Sequence, residues 1–426
     1  MDLILRNARA FGLGDALVDI GIVRGRIAEV APTIAADAPA IDLAGRLVAP
    51  KLVETHIHLD KTCIMDRCTA EQGTVAEAVA LTAAAKRGFT EEDIYARATR
   101  TLEKCLAHGT MLMRTHVEID PGIGLKGFHA IKQLARDYAW AIDIEICAFP
   151  QEGLINNPGT DVLLAECLKN GARAIGAVPY TDSDPHGQID RIFALAREYD
   201  VDIDMHLDLG DTPDGMQIEY VCDCTERYRY GGRVAVGHVT QLSTAPLPQF
   251  EAIARRLADT GVAVTVLPST DLYLTGRSQD HSVLRGVTRA HKLLGHGVNC
   301  SLSTNNVLNP FTPYGDGSLI RMANLYANVC HVSRPAEFDE CFAMITTRSS
   351  RLMRRAWDYS IAPGNPADIV VFDCADARSA VAELVPPLFG LKDGRLTFAR
   401  PRATLRPQRG GDDAAAIGEL LRGGRL

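Results

Sequence analysis

The stretch Val48–Cys63, VAPKLVETHIHLDKTC, runs an apolar segment into His56 and His58, with Asp60 and Lys61 close behind. Residues two apart in an extended strand lie on the same face. Two imidazoles therefore leave one strand end in one direction, which suits two neighbouring ligands on a divalent metal. The pattern recurs. Further apolar runs end in His116 and Glu118, in Gln151 and Glu152 (AFPQEG), in His206 and Asp208 (again two apart), in His238, and in Asn305 and Asn306. Five of the 12 histidines fall at such ends, an odd clustering if they only filled core. Together these residue types point to a metal site.

The elements that must bring these ends together form a rhythm. Strand-like runs lie at Leu47–Val53, Met111–His116, Ile142–Ala148, Ala174–Val178, Val201–His206, Arg233–Gly237, Val262–Leu267 and Val298–Ser303, with helical periodicity between them. One helix is clear: Thr90 as N-cap with Asp93 behind it, apolar Ile94, Ala98, Leu102, Cys105 and Leu106, and Gly109 as a stop. Eight strands alternating with helices predict an α/β fold, a (β/α)8 TIM-type barrel. A doubly wound sheet is the alternative, but it does not usually place polar residues at so many strand C-termini. In the barrel those C-termini form the working face. Strand four, ARAIGAVPYTD, ends without a lysine that could carry a bridging carboxylate, so one metal is expected rather than two.

The termini have another texture. Residues 2–46 and 366–398 read as short strands joined by turns such as Arg24-Gly25-Arg26 and Lys392-Asp393-Gly394. The expected division is a small β-sandwich domain from residues 1–47 and 356–405, a barrel from 48–355, and a Pro/Gly/Arg-rich tail from 406–426. With 426 residues, 46% of them apolar, the chain can bury a large core. It carries 45 basic against 53 acidic residues, net −8, with no basic stripe, so nucleic acid is not an expected partner. No apolar run approaches the roughly 20 residues that span a bilayer, and no signal-peptide order opens the chain, so a cytoplasmic protein is expected. Eleven cysteines without framework spacing read as free thiols, Cys222 and Cys224 included.

The chain resembles the amidohydrolase superfamily, in the branch holding bacterial cytosine deaminase and N-isopropylammelide amidohydrolase. The matching pieces are VETHIHLDKT, MRTHVEID, ICAFPQEG, GARAIGAVP, VDIDMHLD, VAVGHVTQL, NNVLNPF and PGNPADIVVFD. The resemblance implies that His56, His58 and His206 bind one divalent ion, zinc or iron. It implies that His238 bonds the reacting group and that Gln151 bonds a flat heterocycle. Lys61 matches the lysine of the ammelide-type motif.

Two positions depart from the family pattern. A glutamate used to shuttle protons is replaced by Leu209, and the metal-binding aspartate after strand eight is replaced by Asn305. A carboxamide cannot accept a proton near neutral pH, so the usual general base is missing. Asp208, two residues after His206, and Lys61 are the candidate replacements. Asn305 stays a candidate both for the metal shell and for the catalytic set. His116 is either a substrate-side residue or a buried histidine supporting a ligand. Tyr273 and Arg277 (DLYLTGR) line a pocket or its rim. The expected activity is metal-dependent hydrolysis of a C–N bond in a small nitrogen heterocycle or cyclic amide, by an enzyme that forms homo-oligomers. Ring opening, or a ligand-binding barrel without turnover, is the alternative.

Overall fold

Lys51 marks the point where the chain passes from one sheet to another in the computed structural model, which describes residues 1–354 and 359–403. Leu47–Pro50 before it pairs with Leu3–Ala10 and Ile369–Phe372, and Leu52–Ile57 after it opens the barrel. The expected first barrel strand, Leu47–Val53, is therefore corrected: it spans the crossover, and the barrel strand lies further along. Apolarity alone could not locate the divide, because both halves are fully buried. Lys51 is itself buried and donates to Asp368 Oδ2 at 2.8 Å, tying the crossover to the C-terminal segment.

The remaining barrel strands are Thr110–Glu118, Asp143–Phe149, Ala174–Ile175, Asp202–Leu207, Val234–His238, Val262–Val266 and Cys300–Leu302. They pair in parallel, each with its sequence neighbour. A parallel bridge between Ile57 and Asn305 brings the ends of the first and eighth strands together. The helix over Glu91–Ala107 forms as its sequence predicts. Thr90 Oγ1 accepts from the Asp93 N–H, and Ile94, Ala98, Leu102, Cys105 and Leu106 face inward. Each large apolar side chain buried this way stabilises by about 1.5–3 kcal/mol. Gly109, at φ 92°, takes the left-handed turn that ends the segment.

The terminal segments build a separate eight-stranded mixed sheet. Its core includes Leu5, Ile20, Val48, Ile369 and Val371. The tail at 406–426 and the boundary near 355 lie outside the described residues. Among the described residues, no helix is long and apolar enough to cross a membrane.

Candidate metal centre and active site

Strand alternation delivers the histidines. His56 ends the first barrel strand on its inner face, His58 follows just beyond, and His206 comes from the fifth strand, all almost wholly buried. His206 Nε2 lies 3.1 Å from His56 Nε2 and 3.0 Å from His58 Nε2. Ligands about 2.1 Å from a tetrahedral ion stand roughly 3.4 Å apart, so the two His206 spacings suit a shared cation. Burial, the largest influence, pushes His56 down to about 3 and His58 and His206 well below the usual histidine value; neighbouring positive charge adds to it. The imidazoles are neutral near pH 7, with lone pairs available to a metal.

Asn305 closes the set. Its N–H donates to the His56 carbonyl, and its own carbonyl accepts from the His58 N–H, both at 2.9 Å. Its Oδ1 is buried with no hydrogen-bond partner among the described residues. An orphaned buried carbonyl oxygen on a residue whose backbone is bonded to His56 and His58 fits a neutral fourth donor to a metal. Asn305 at φ 64°, His238 at φ 72° and Asp208 at φ 49° all hold left-handed backbone. Such strain costs on the order of 1 kcal/mol each and collects where a site dictates side-chain direction.

His238 ends the sixth strand, and its atoms come within 4.8 Å of those of His56 and His206. Its Nδ1–H donates to Asp271 Oδ1 at 2.6 Å, because a carboxylate can only accept. Its Nε2 therefore carries the lone pair and lies 3.5 Å from Asn305 Nδ2. Asp271, in the helix Pro268–Leu274, is fully buried, and its other oxygen accepts from the Leu267 N–H. Burial raises the Asp271 carboxyl, while His238 pulls the other way. Sequence reading passed over Asp271. The signal was present: a lone acid in the apolar LPSTDLYL, two residues before the Tyr273 that the sequence singles out.

Asp204 was also missed. It lies two residues before His206 and so shares the inner face. Its Oδ1 lies 3.5 Å from both His56 Nδ1 and His116 Nε2, and its Oδ2 accepts from Arg114 Nη1 at 2.8 Å. Burial alone would raise its carboxyl, but His116, His56 and Arg114 hold it well below the usual range. It is the kind of outer carboxylate that orients a metal-binding imidazole. His116 stacks on His56 with ring centroids 3.7 Å apart, wholly buried, so it stands behind a ligand rather than facing the substrate side.

The structure does not bring Asp208 into the cluster. Its two oxygens accept from the Gln217 N–H (2.7 Å) and the Ile218 N–H (3.1 Å), the start of the helix Ile218–Arg227. Both are otherwise orphan donors of a helix end. Leu209 packs with Val75, Leu274 and Phe311.

Lys61 and Gln151 do meet. Lys61 Nζ donates to Gln151 Oε1 at 2.8 Å and to Glu118 Oε1 at 2.7 Å. The Phe149 ring lies 5.2 Å from the His58 ring and 5.5 Å from Lys61 Nζ, linking this pair to the histidines. Tyr273 and Arg277 line a cavity that none of the clustered histidines lines. Shared with Tyr314 and Arg321, it measures about 510 Å³, and the Arg277 guanidinium lies over the Tyr273 ring.

Known proteins resemble this chain in sequence and fold. The model of the amidohydrolase family matches residues 40–137 and 148–398. The chain is 28% identical over 405 residues to N-isopropylammelide isopropyl amidohydrolase of Pseudomonas sp. (strain ADP), covering 93% of this chain and 96% of that one. It is 25% identical over 362 residues to pterin deaminase of Rhizobium rhizogenes (strain K84), covering 83% and 82%. The fold superposes on 5-methylcytosine deaminase from Klebsiella pneumoniae, liganded with 5-fluorocytosine, with a TM-score of 0.90 at 26% identity, covering 95% and 99% of the two chains.

Proposed function

The chain belongs to the amidohydrolase family, enzymes acting on carbon–nitrogen bonds, and from that membership we propose a mononuclear aminohydrolase of small nitrogen heterocycles. The observation that carries the reading is the approach of His206 Nε2 to both His56 and His58 Nε2, with Asn305, whose Oδ1 is unpartnered, held between His56 and His58 by its backbone. These four residues would hold one divalent ion, zinc or iron. Such an ion supplies Lewis acidity and makes water a nucleophile near neutral pH.

The protein groups do the rest. His238 accepts the proton of the attacking water at Nε2, the nitrogen left free by the Asp271 bond. Asp271 holds the imidazole in that tautomer and stabilises its protonated form, the role a buried carboxylate plays behind a general-base histidine. This dyad takes over what Asn305 cannot do. Lys61 and Gln151 orient the heterocycle, and His238 returns the proton to the leaving nitrogen.

Ring opening of a cyclic amide is a second reading, favoured by Leu209, an apolar residue where the resembling branch has a proton-shuttling glutamate. The discriminating experiment incubates the metal-loaded protein with aminopyrimidines, amino-s-triazines, hydantoins and lactams. Release of ammonia or amine supports the aminohydrolase; ring-opened acids without amine release support the second reading, and no turnover of any compound contradicts both.

A further inference from the structure

Lys86, the last residue of the helix Val75–Lys86, reaches the barrel mouth and is only 3% exposed. Its Nζ donates to Asp120 Oδ2 at 2.6 Å and Glu118 Oε2 at 3.1 Å and pairs with Glu152. Burial disfavours the Lys86 charge, but Glu118 and Asp120 outweigh it and raise its pKa, so it stays an ammonium. Glu118 is divided between two lysines, Oε2 to Lys86 and Oε1 to Lys61. Lys61 in turn donates to Gln151 Oε1. An ammonium can only donate, so the Gln151 amide is held with its oxygen inward and its Nε2 free. Gln151 is 4% exposed, and no described residue accepts from Nε2. With its oxygen taken by Lys61, the amide keeps two Nε2 donors for a ligand or water.

We propose that Lys86 is a positioning residue: acting through Glu118 and Lys61, it fixes Gln151 as a hydrogen-bond donor only, so the site selects heterocycles presenting an acceptor there. A ring carbonyl satisfies Nε2; an amino group at the same place sets donor against donor. The charges explain why Lys86 is needed. Without it, Glu118 is left beside Asp120 and Glu152, three acids within reach of one another, and loses the ionised geometry that anchors Lys61. This selection rests on the heterocycle reading above, which places the ligand against Gln151.

The test measures binding rather than turnover. The probes are pyrimidines and s-triazines in pairs that differ only by a ring oxo against an amino group, such as 4-amino-2-oxopyrimidine and 2,4-diaminopyrimidine. Calorimetry on the full-length metal-loaded protein should show the oxo member bound at least tenfold more tightly. Lys86→Met should narrow that preference below about threefold with metal content unchanged, and Lys86→Arg should retain it. Should Lys86→Met fail to fold, the isosteric Glu118→Gln breaks the same relay and should narrow the preference likewise. Equal binding of the pairs by the native protein, no binding of any oxo member, or full preference in a folded Lys86→Met or Glu118→Gln protein overturns the inference. Preference without turnover would contradict the aminohydrolase reading and leave this one standing.

Discussion

Asp271 Oδ1 lies 2.6 Å from His238 Nδ1, and this bond directs the free lone pair of His238 toward Asn305. The strand-eight position that holds a carboxylate in the resembling family is a carboxamide here. A buried carboxylate, Asp271, instead stands behind the strand-six histidine. In the mechanism proposed above, the His238–Asp271 pair takes the role of that base.

Replacing Asp271 by Asn keeps the volume and removes the charge that holds the tautomer. Asp271→Asn should lower kcat by about 100-fold or more, within the range supplied by general-base catalysis, with KM and metal content little changed. Native kcat in the folded variant would exclude the dyad.

Asn305→Asp offers the metal a charged oxygen where a neutral one now lies unpartnered. The ion should be retained at least as well as in the native protein during challenge with a chelator. Faster loss would place Asn305 outside the metal shell.

Asp208 is bonded to the start of a helix, not to the histidines. Asp208→Ala should cost about 1–2 kcal/mol in urea unfolding, as loss of a helix-end acceptor does, and leave kcat within about threefold. A collapse of kcat in a stable variant would return Asp208 to the chemistry.

Lys61 and Lys86 overcome the burial that would raise Glu118 and hold it at about 2, below the ordinary 4.5. Between those values the unfolded chain binds more protons than the folded one. Stability from Glu118 is thus present above about 4.5 and is lost as pH falls toward 2. Glu118→Gln should be less stable at neutral pH by roughly 3–5 kcal/mol, the cost of breaking a buried pair. It should then lose less further stability than the native protein between about pH 5 and pH 3. Equal acid losses, read from urea midpoints, would contradict the ion-pair account.

The legible parts of the sequence were those governed by short-range periodicity. Thr90, Asp93 and Gly109 mark a helix because capping is local, and His56, His58 and His206 share the barrel interior because strands alternate. Asp204 obeyed the same rule two residues before His206 and was readable in DIDMHL. The pairing of Asp271 with His238, by contrast, spans 33 residues and depends on how one helix settles over the sixth strand. Asp208 appeared to face the metal by alternation, but the chain turns left-handed at that residue and its side chain leaves the strand pattern. The first strand was misplaced because Leu47–Pro50 and Leu52–Ile57 are both fully buried, and the crossover is marked by long-range contacts such as the Lys51–Asp368 pair, 317 residues apart in sequence.

The central claim is a single metal held by the three histidines, and metal content per chain tests it most directly. Elemental analysis after metal-supplemented expression should find about one equivalent of zinc or iron in the native protein and well below that in a folded His206→Ala variant. No bound divalent metal in the native protein, or an undiminished equivalent in His206→Ala, would contradict the account.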